Sequence, residues 1–388
     1  MDITIKPGLL KGEITVIPSK SQAHRLLICA AFADKPTQLV CSETNRDIEA
    51  TADCLRAFGA EITRTDSGYS IFPTKTVPEK ATLNCGESGS TLRFLLPIAG
   101  ALGLDATFQL EGRLPQRPLS PLWEEMERMG CSLSRPTETT VRCEGKLKSG
   151  EYVIDGGISS QFITGLLFAH ALLGECSLTV TGKLESQPYV DMTAEALRIF
   201  DAPRFHTPGH LTVEGDWSNG AFWLVANALG SALNVHGLNT DSLQGDRAVI
   251  SILRQLDAGT PVIPAGDIPD LVPILAVCAA AKKGCVFTDI RRLRLKESDR
   301  VASVIAMLEG LGGKAEADEN TLTVYGTGLQ GGTVNSMNDH RIAMAAAIAA
   351  TVCKETVNLL GAEAVNKSYP RFWEEYIRLG GNYELYLR

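Results

Sequence analysis

Residues 126–133, with the sequence M-E-R-M-G-C-S-L, contain the local pattern that decides the fold. A helical stretch ends in an apolar residue and a glycine, and a short extended segment follows. The same pattern occurs six times, with turn residues at Gly59, Gly130, Asp201, Asp257, Gly312 and Gly380. Glycine readily adopts the left-handed conformation that caps a helix C-terminus, and aspartate tolerates it less well. Because leucine and glycine are common at helix ends, the alternative explanation is that these six segments are alike by chance.

The segments around these turns predict how the chain is organised. Amphipathic helical stretches precede the turns, for example at 48–58 and 301–308. After four turns, alternating segments broken by turn formers predict β-hairpins, at 61–72, 131–143, 203–215 and 314–326. Three such repeats in each half predict an α/β protein with two pseudo-symmetric domains, each built around buried helices.

The domain boundary is expected where turn formers cluster, at 215–220. We therefore predict one domain at residues 18–216 and a second made of residues 1–17 and 217–388. The N-terminal strand at 2–6 would complete a sheet of the second domain. The chain would then cross between the domains twice, an arrangement that suits a two-stranded hinge.

Bulk composition excludes several classes of protein. The chain has 388 residues, enough for two domains, and it is 44% hydrophobic, as expected for a globular protein. It has neither a secretory leader pattern nor the roughly 18 consecutive apolar residues of a membrane span. Its ten cysteines form no C-x-x-C pair, which argues against a zinc site and a disulfide framework. We therefore expect a cytoplasmic, monomeric protein with reduced thiols and no metal or cofactor.

The net charge of −8 argues against a nucleic-acid or membrane partner, so basic clusters point to small anions. Five segments combine small or polar residues at a predicted helix start with nearby cations or amides, a combination that favours anion binding. They lie at 18–25, 86–93, 113–119, 156–162 and 291–300. Taken singly, the first could be a solvated helix face, the second a flexible connection, and the fourth a simple serine cap.

The segment R-R-L-R-L-K-E-S-D-R, at 291–300, carries the highest density of charge. Its alternation predicts that Arg292, Arg294 and Lys296 lie on one face of a strand, with E-S-D-R starting the next helix. The segments at 337–344 and 365–370 add His340, Arg341 and Lys367 in otherwise apolar surroundings.

Together these motifs resemble the family of 5-enolpyruvylshikimate-3-phosphate synthases, over nearly the whole chain. The matching motifs, in order, are P-S-K-S-x-x-x-R, G-x-S-G-S-T-x-R, R-P, S-S-Q, S-x-P-Y, I-P-D, L-K-E-S-D-R, N-D-H-R-x-A-M and N-K-S-x-P. The resemblance implies two domains, each of three βαβαββ units arranged as an inside-out α/β barrel. It also implies transfer of the enolpyruvyl group of phosphoenolpyruvate to the 5-hydroxyl of shikimate 3-phosphate, in aromatic amino acid biosynthesis, without a cofactor.

The resemblance assigns residues to each substrate. The implied shikimate 3-phosphate ligands are Lys20, Ser21, Arg25, Ser159, Ser160, Gln161, Ser186, Tyr189, Asp270 and Lys296. The implied phosphoenolpyruvate ligands are Lys20, Gly89, Arg117, Gln161, Arg300, His340, Arg341 and Lys367. The catalytic candidates are Lys20, Asp270 and Glu297, because an alcohol nucleophile and an enol acceptor need a base and an acid. Which of them donates and which accepts each proton is open.

The sequence differs from the family pattern at three places, and two other functions compete with the one that the resemblance implies. Arg292 stands where asparagine is common, Gln187 stands where lysine is common, and the fourth repeat is short after Asp257. One rival is the enolpyruvyltransferase that acts on UDP-N-acetylglucosamine, but the loop at 111–118 lacks the cysteine expected there. The other rival is a non-catalytic protein that binds anions or RNA ends. Unsubstituted Gly89 further predicts sensitivity to glyphosate.

Overall fold

The computed structural model describes residues 1–385. Helices in this part of the chain are α1 Lys20–Ala31, α2 Arg46–Ala57, α3 Gly89–Leu102, α4 Leu122–Arg128, α5 Ser160–Leu173, α6 Gln187–Ile199, α7 Trp217–Ala228, α8 Val249–Ala258, α9 Val272–Ala281, α10 Arg300–Gly310, α11 His340–Ala350 and α12 Phe372–Arg378. Strands are β1 Ile3–Lys6, β2 Lys11–Thr15, β3 Thr37–Val40, β4 Glu61–Thr65, β5 Gly68–Phe72, β6 Lys80–Gly86, β7 Asp105–Leu110, β8 Cys131–Ser134, β9 Thr140–Gly145, β10 Glu151–Asp155, β11 Ser177–Thr181, β12 His210–Thr212, β13 Ala232–His236, β14 Val262–Pro264, β15 Gly284–Thr288, β16 Lys314–Ala317, β17 Thr321–Tyr325, β18 Gly332–Asn335, β19 Val357–Leu360 and β20 Asn382–Leu385. None of the helices in residues 1–385 is long and apolar enough to cross a bilayer.

The chain separates into two compact units. One is Pro18–Glu214, and the other combines Met1–Ile17 with the chain from Gly215 onward. The turn-forming segment at 215–220 begins at this division, and within it the Asp216 carboxylate caps α7 by accepting from the Asn219 amide at 2.7 Å. We call Pro18–Glu214 the 18–214 unit, and we call the other the split unit because two separate stretches of the chain form it.

The 18–214 unit contains two four-stranded sheets of the same design. Their strand orders are β12-β3-β5-β4 and β6-β7-β9-β8. In each, the first two strands are parallel and the remaining pairings are antiparallel. Helix α3 connects the parallel strands β6 and β7, as a parallel pairing requires a crossover. A parallel pair, β10 and β11, is joined in the same way by α5.

The split unit repeats this design with a different connectivity. Its four-stranded sheets have the orders β14-β15-β17-β16 and β18-β19-β1-β20, again parallel first and antiparallel after. Strand β1 lies between β19 and β20, with Ile3 opposite Leu359 and Leu385. The prediction that the N-terminal strand completes a sheet of the second half is therefore confirmed. Strands β13 and β2 form a parallel pair.

The helices that connect parallel strands are buried. Every described residue of α11, and all but the last residue of α9, is buried, because α9 is apolar on all sides and α11 is apolar after His340 and Arg341. Helix α5 lies close to α3, and a Cβ at Gly165 would sit 2.2 Å from the carbonyl oxygen of Arg93. Only glycine permits this approach. Internal helices agree with the inside-out arrangement, while the strands described form open sheets and close no barrel.

Three local predictions are wrong. The segment 203–215 forms no hairpin, because Pro203 and Pro208 cannot donate to a ladder, and only β12 forms there. Asp257 does not end its helix, since α8 continues to Ala258. The segment from Arg291 to Leu295 is a 3₁₀ helix, not a strand, because the Leu293 amide bonds back to the Ile290 carbonyl.

The other predicted helix ends and hairpins are confirmed. The five remaining turn residues all have positive φ angles, at Gly59, Gly130, Asp201, Gly312 and Gly380. The segments at 61–72, 131–143 and 314–326 each form an antiparallel pair.

Candidate active site

The residues predicted to bind anions cluster where a strand ends and a buried helix begins. Strands β6 and β10 lead into α3 and α5, and strands β14 and β18 lead into α9 and α11. The carboxyl ends of parallel strands and the N-termini of their crossover helices favour bound anions through free N–H groups. Each unit therefore carries its own group of candidate residues.

Helix α1 carries Lys20 in its first turn, as the sequence predicts. Ser19 caps the helix by accepting from the Gln22 amide at 3.3 Å. The Lys20 ammonium pairs with the Asp47 carboxylate at 2.9 Å, and both side chains are mostly buried. Ser21, also predicted, lies beside Lys20 and is half-buried.

Arg25 is held inside the 18–214 unit, where its guanidinium ties α1 to α6. It donates to the hydroxyl of Thr193 at 2.9 Å and to the carbonyls of Ser21 and Tyr189 at 2.6 and 2.7 Å. Burial lowers the pKa of Arg25 to about 10, so the group is still charged at neutral pH. The structure thus gives Arg25 a packing role; contact with a substrate phosphate stays a prediction.

The starts of α3 and α5 form one cluster. Ser88 and Ser159 cap the two helices. Gly89 lies against the Arg117 side chain, because a Cβ there would be 2.7 Å from Arg117 Nη1. The Gln161 amide accepts from Arg93 Nη1 at 2.7 Å and donates to the Ser90 hydroxyl at 3.0 Å. The structure therefore brings Gly89, Arg117 and Gln161 into one neighbourhood.

Two further predicted residues, Ser186 and Tyr189, lie at the start of α6. Buried Ser186 precedes the helix with a left-handed backbone, φ 59°. The Gln187 amide donates to the Asp191 carboxylate at 2.6 Å. Ser160, the first residue of α5, is buried.

Arg300 is the centre of a buried charge cluster in the split unit. It is 1% exposed and begins α10 after the Asp299 cap. Its guanidinium reaches Asp270 at 2.7 Å, Glu297 at 2.8 Å and Asp339 at 3.2 Å. One cation therefore holds three carboxylates, two of which are catalytic candidates.

Asp270 meets three cations. Besides Arg300, it faces Arg341 at 3.3 Å and Lys296 at 3.7 Å. Burial alone would raise the pKa of Asp270, but the charges of Lys296, Arg341 and Arg300 outweigh it and hold the pKa well below its usual range. Burial lowers the pKa of Lys296 to about 8 despite the opposing charge of Asp270. Asp270 is therefore ionised at neutral pH.

The start of α11 points donors into the same cluster. The Asp339 carboxylate caps the helix, accepting from the Arg341 amide at 2.9 Å. Arg341 is 2% exposed, and its Nε and Nη1 have no hydrogen-bond partner among residues 1–385. Buried donors left this way fit an anionic ligand. His340 is buried beside it, and Lys367 donates to the Asn338 carbonyl at 2.8 Å.

The chain is similar to known proteins over almost its whole length. The model of the family described as EPSP synthase (3-phosphoshikimate 1-carboxyvinyltransferase) matches residues 5–264 and 262–376. Relatives named 3-phosphoshikimate 1-carboxyvinyltransferase include one from Clostridium kluyveri, 38% identical over 98% of this chain and 97% of its own length. One from Clostridium beijerinckii is 37% identical over 99% of this chain and 98% of its own length.

The chain belongs to the EPSP synthase family. The solved EPSP synthase of Acinetobacter baumannii covers 99% of each chain with a TM-score of 0.80, at 24% identity. The enolpyruvyl transferase NikO of Streptomyces tendae superposes with a TM-score of 0.75 at 16% identity, covering 99% of this chain and 98% of its own. At these identities the likeness shows a shared fold, and the fold predicted from the sequence is therefore confirmed.

Sequence reasoning missed Asp47 and Asp246, which lie beside candidate residues, and it did not identify the partners of Arg93 in the 86–93 segment. Asp47 pairs with Lys20, Arg93 binds Gln161, and Asp246 receives a hydrogen bond from the Ser218 hydroxyl. Burial, and after it the charge of Asp270, raises the pKa of Asp246 to about 7. Asp47 and Asp246 stand in no charged motif, so no local signal identified them; Arg93 closes a motif, but its partner lies far along the chain.

Proposed function

We propose that this chain transfers the enolpyruvyl group of phosphoenolpyruvate to the 5-hydroxyl of shikimate 3-phosphate and releases phosphate. The observation that carries the proposal is the family match over almost the whole chain, with relatives that bear the name of this activity. Buried cations at helix starts in both units suit two substrates that together carry two phosphates and two carboxylates. These comparisons do not favour an enzyme acting on UDP-N-acetylglucosamine.

Shikimate 3-phosphate is proposed to bind mainly to the 18–214 unit. The α1 start supplies Lys20 and Ser21, and the α5 start supplies Ser159, which caps the helix, with Ser160 and Gln161. Ser186 and Tyr189 lie at the start of α6, which Arg25 fastens to α1. Helix N-termini and a lysine match a phosphate, and hydroxyls match the ring oxygens.

Phosphoenolpyruvate is proposed to bind to Arg117, Arg300, Arg341, His340, Lys367 and the backbone at Gly89. The two unpartnered donors of Arg341 support this assignment, because burying them without an acceptor costs free energy that a ligand oxygen would recover. Guanidinium groups bind carboxylate and phosphate with paired hydrogen bonds. We propose that these cations stabilise the negative charge of the substrate and of the departing phosphate.

The proposed chemistry is addition followed by elimination. The 5-hydroxyl oxygen bonds to C2 of phosphoenolpyruvate while C3 gains a proton, giving a tetrahedral ketal. Loss of that proton from C3 and of phosphate from C2 then leaves the enol ether. Lys20 and Glu297 are proposed to give and take the C3 proton.

Asp270 is proposed to hold the 5-hydroxyl. Its pKa is held low, so it is an acceptor of a hydrogen bond and a weak base while Lys296, Arg300 and Arg341 surround it. A bound phosphate or carboxylate would draw these cations away from it, and the basicity of Asp270 would then rise. Substrate binding thus prepares the carboxylate for the hydroxyl proton.

A phosphate-release assay with shikimate 3-phosphate and phosphoenolpyruvate tests the proposal. We expect turnover with this pair, and none when UDP-N-acetylglucosamine replaces shikimate 3-phosphate. Lys20→Met should lower kcat by about a thousandfold, and Asp270→Ala should lower kcat far more than it weakens binding. The matched controls are Lys80→Met and Asp257→Ala, which make the same kinds of change at exposed residues. A folded chain without turnover on this pair contradicts the proposal.

Sensitivity to glyphosate, a monomeric state and a cytoplasmic location belong to the same proposal. Gly89, packed against Arg117, is unsubstituted. An unchanged rate at high glyphosate concentration contradicts the first part, and light scattering of the purified chain tests the second.

A further inference from the structure

Arg93 is a buried cation that the proposed chemistry leaves without a role. It lies in the second turn of α3 and is 3% exposed, with its guanidinium over the Phe162 ring at 5.4 Å. Nη1 donates to Gln161 Oε1 at 2.7 Å and Nη2 donates to the Pro118 carbonyl at 2.9 Å. Burying a guanidinium removes its hydration at a cost in free energy, which these contacts must offset.

The contact fixes which end of the Gln161 amide faces outward. A guanidinium has donors only, so the carbonyl oxygen of Gln161 must turn toward Arg93. The opposite orientation would press an NH₂ group against a buried cation. The amide nitrogen then donates one hydrogen to Ser90 Oγ at 3.0 Å. Its second N–H has no acceptor among residues 1–385 and is available to a ligand. The side chain therefore presents an N–H donor to a substrate, while its oxygen is turned toward Arg93.

The second contact of Arg93 holds the loop that carries Arg117. Pro118 follows Arg117 directly, and its carbonyl is fixed by Nη2. Arg117 in turn lies against Gly89 at the start of α3. Arg93 therefore forms charge-assisted hydrogen bonds to Gln161 and to the loop that carries Arg117, two parts of the predicted ligand site.

We infer that Arg93 is a positioning residue, which sets the amide of Gln161 to donate and holds the Arg117 loop for an anionic substrate. This inference rests on the proposed function for its effect on turnover. The orientation of the Gln161 amide does not depend on that function. Lysine has a single ammonium and cannot span the Gln161 and Pro118 oxygens as a planar fork does.

Steady-state kinetics test the effect on turnover. Arg93→Met should raise KM for phosphoenolpyruvate about tenfold, with a smaller change in kcat, because it removes charge-assisted hydrogen bonds that orient ligand contacts. Arg93→Lys should restore part of the loss. In a Gln161→Leu background, Arg93→Met should raise KM for phosphoenolpyruvate only about twofold. The remaining rise comes from the lost hydrogen bond to the Pro118 carbonyl. An undiminished tenfold effect in that background overturns the inference, as does a fall in kcat and the urea midpoint with unchanged KM.

Nuclear magnetic resonance of chain labelled with ¹⁵N at glutamine tests the geometry without turnover. The Gln161 side-chain signal is the one that disappears in Gln161→Leu. It should shift in Arg93→Met and less in Arg93→Lys, and an unshifted signal overturns the inference. If the wild-type chain releases no phosphate, the proposed function fails, while this signal still decides whether Arg93 sets the amide.

Discussion

Arg300→Met removes the cation that three carboxylates share in the split unit. Asp270 keeps Lys296 and Arg341 as partners, and Glu297 is 26% exposed, so water screens it. Asp339 is different, because it is 0% exposed and its ion pair with Arg300 spans 3.2 Å. Removing one partner of a buried pair costs about 3–5 kcal/mol, since the remaining charge is left in a medium of low dielectric. We expect a loss of that size in the free energy of unfolding.

Urea unfolding followed by tryptophan fluorescence measures this loss. The chain has four tryptophans, and Trp217, Trp223 and Trp373 lie in the same unit as Arg300. The signal therefore reports mainly on the unit that carries the substitution. Arg300→Lys is the matched control, because it keeps the charge and loses the fork, and its midpoint should fall between those of the wild type and Arg300→Met.

Adding Asp339→Asn to Arg300→Met should recover about half of the loss. Asparagine keeps the oxygen that caps α11 and removes the uncompensated charge. The reasoning is refuted if Arg300→Met costs less than about 1 kcal/mol, or if Asp339→Asn lowers the stability of the double variant further.

Three other substitutions test separate features. Burial and the charge of Asp270 raise the pKa of Asp246 to about 7, so the folded chain holds this proton more tightly than the unfolded chain and loses stability as pH rises from about 4 to 7. The urea midpoint of Asp246→Asn relative to wild type should therefore increase between pH 5 and pH 8, and a constant difference contradicts this. Gly89→Ala places a Cβ 2.7 Å from Arg117 Nη1. It should raise KM for phosphoenolpyruvate about tenfold, as measured by phosphate release. An unchanged KM would show that Arg117 moves aside freely. Ile3→Ala, at a fully buried position in β1, should lower the unfolding free energy by about 3 kcal/mol in urea, and a loss below 1 kcal/mol would mean that the strand contributes little.

Features that depend on neighbouring residues were predictable from the sequence. A glycine or aspartate after an apolar helix end marked five of the six turns, since the left-handed conformation is a local property of those residues. Lys20 and Arg300 were placed correctly at helix starts because Ser19 and Asp299 cap those helices. The N-terminal strand was also placed in the correct half of the chain.

Features that depend on distant contacts were not predictable. Arg93 and Gln161 are 68 residues apart, and only the close approach of α3 and α5 at Gly165 brings them together. The alternation at 292–296 suggested a strand, but no neighbouring strand covers that segment among the residues described, and a 3₁₀ turn forms instead. Asp246 gains its raised pKa from burial, which a single sequence does not display.

Strand β1 has a consequence for the order in which the protein is made. It precedes the 18–214 unit in the chain, whereas its partners β19 and β20 follow that unit and are translated after it. The 18–214 unit is complete in the nascent chain long before that, and domains fold as units during synthesis. Strand β1 therefore stays without these two partners while a whole unit assembles behind it.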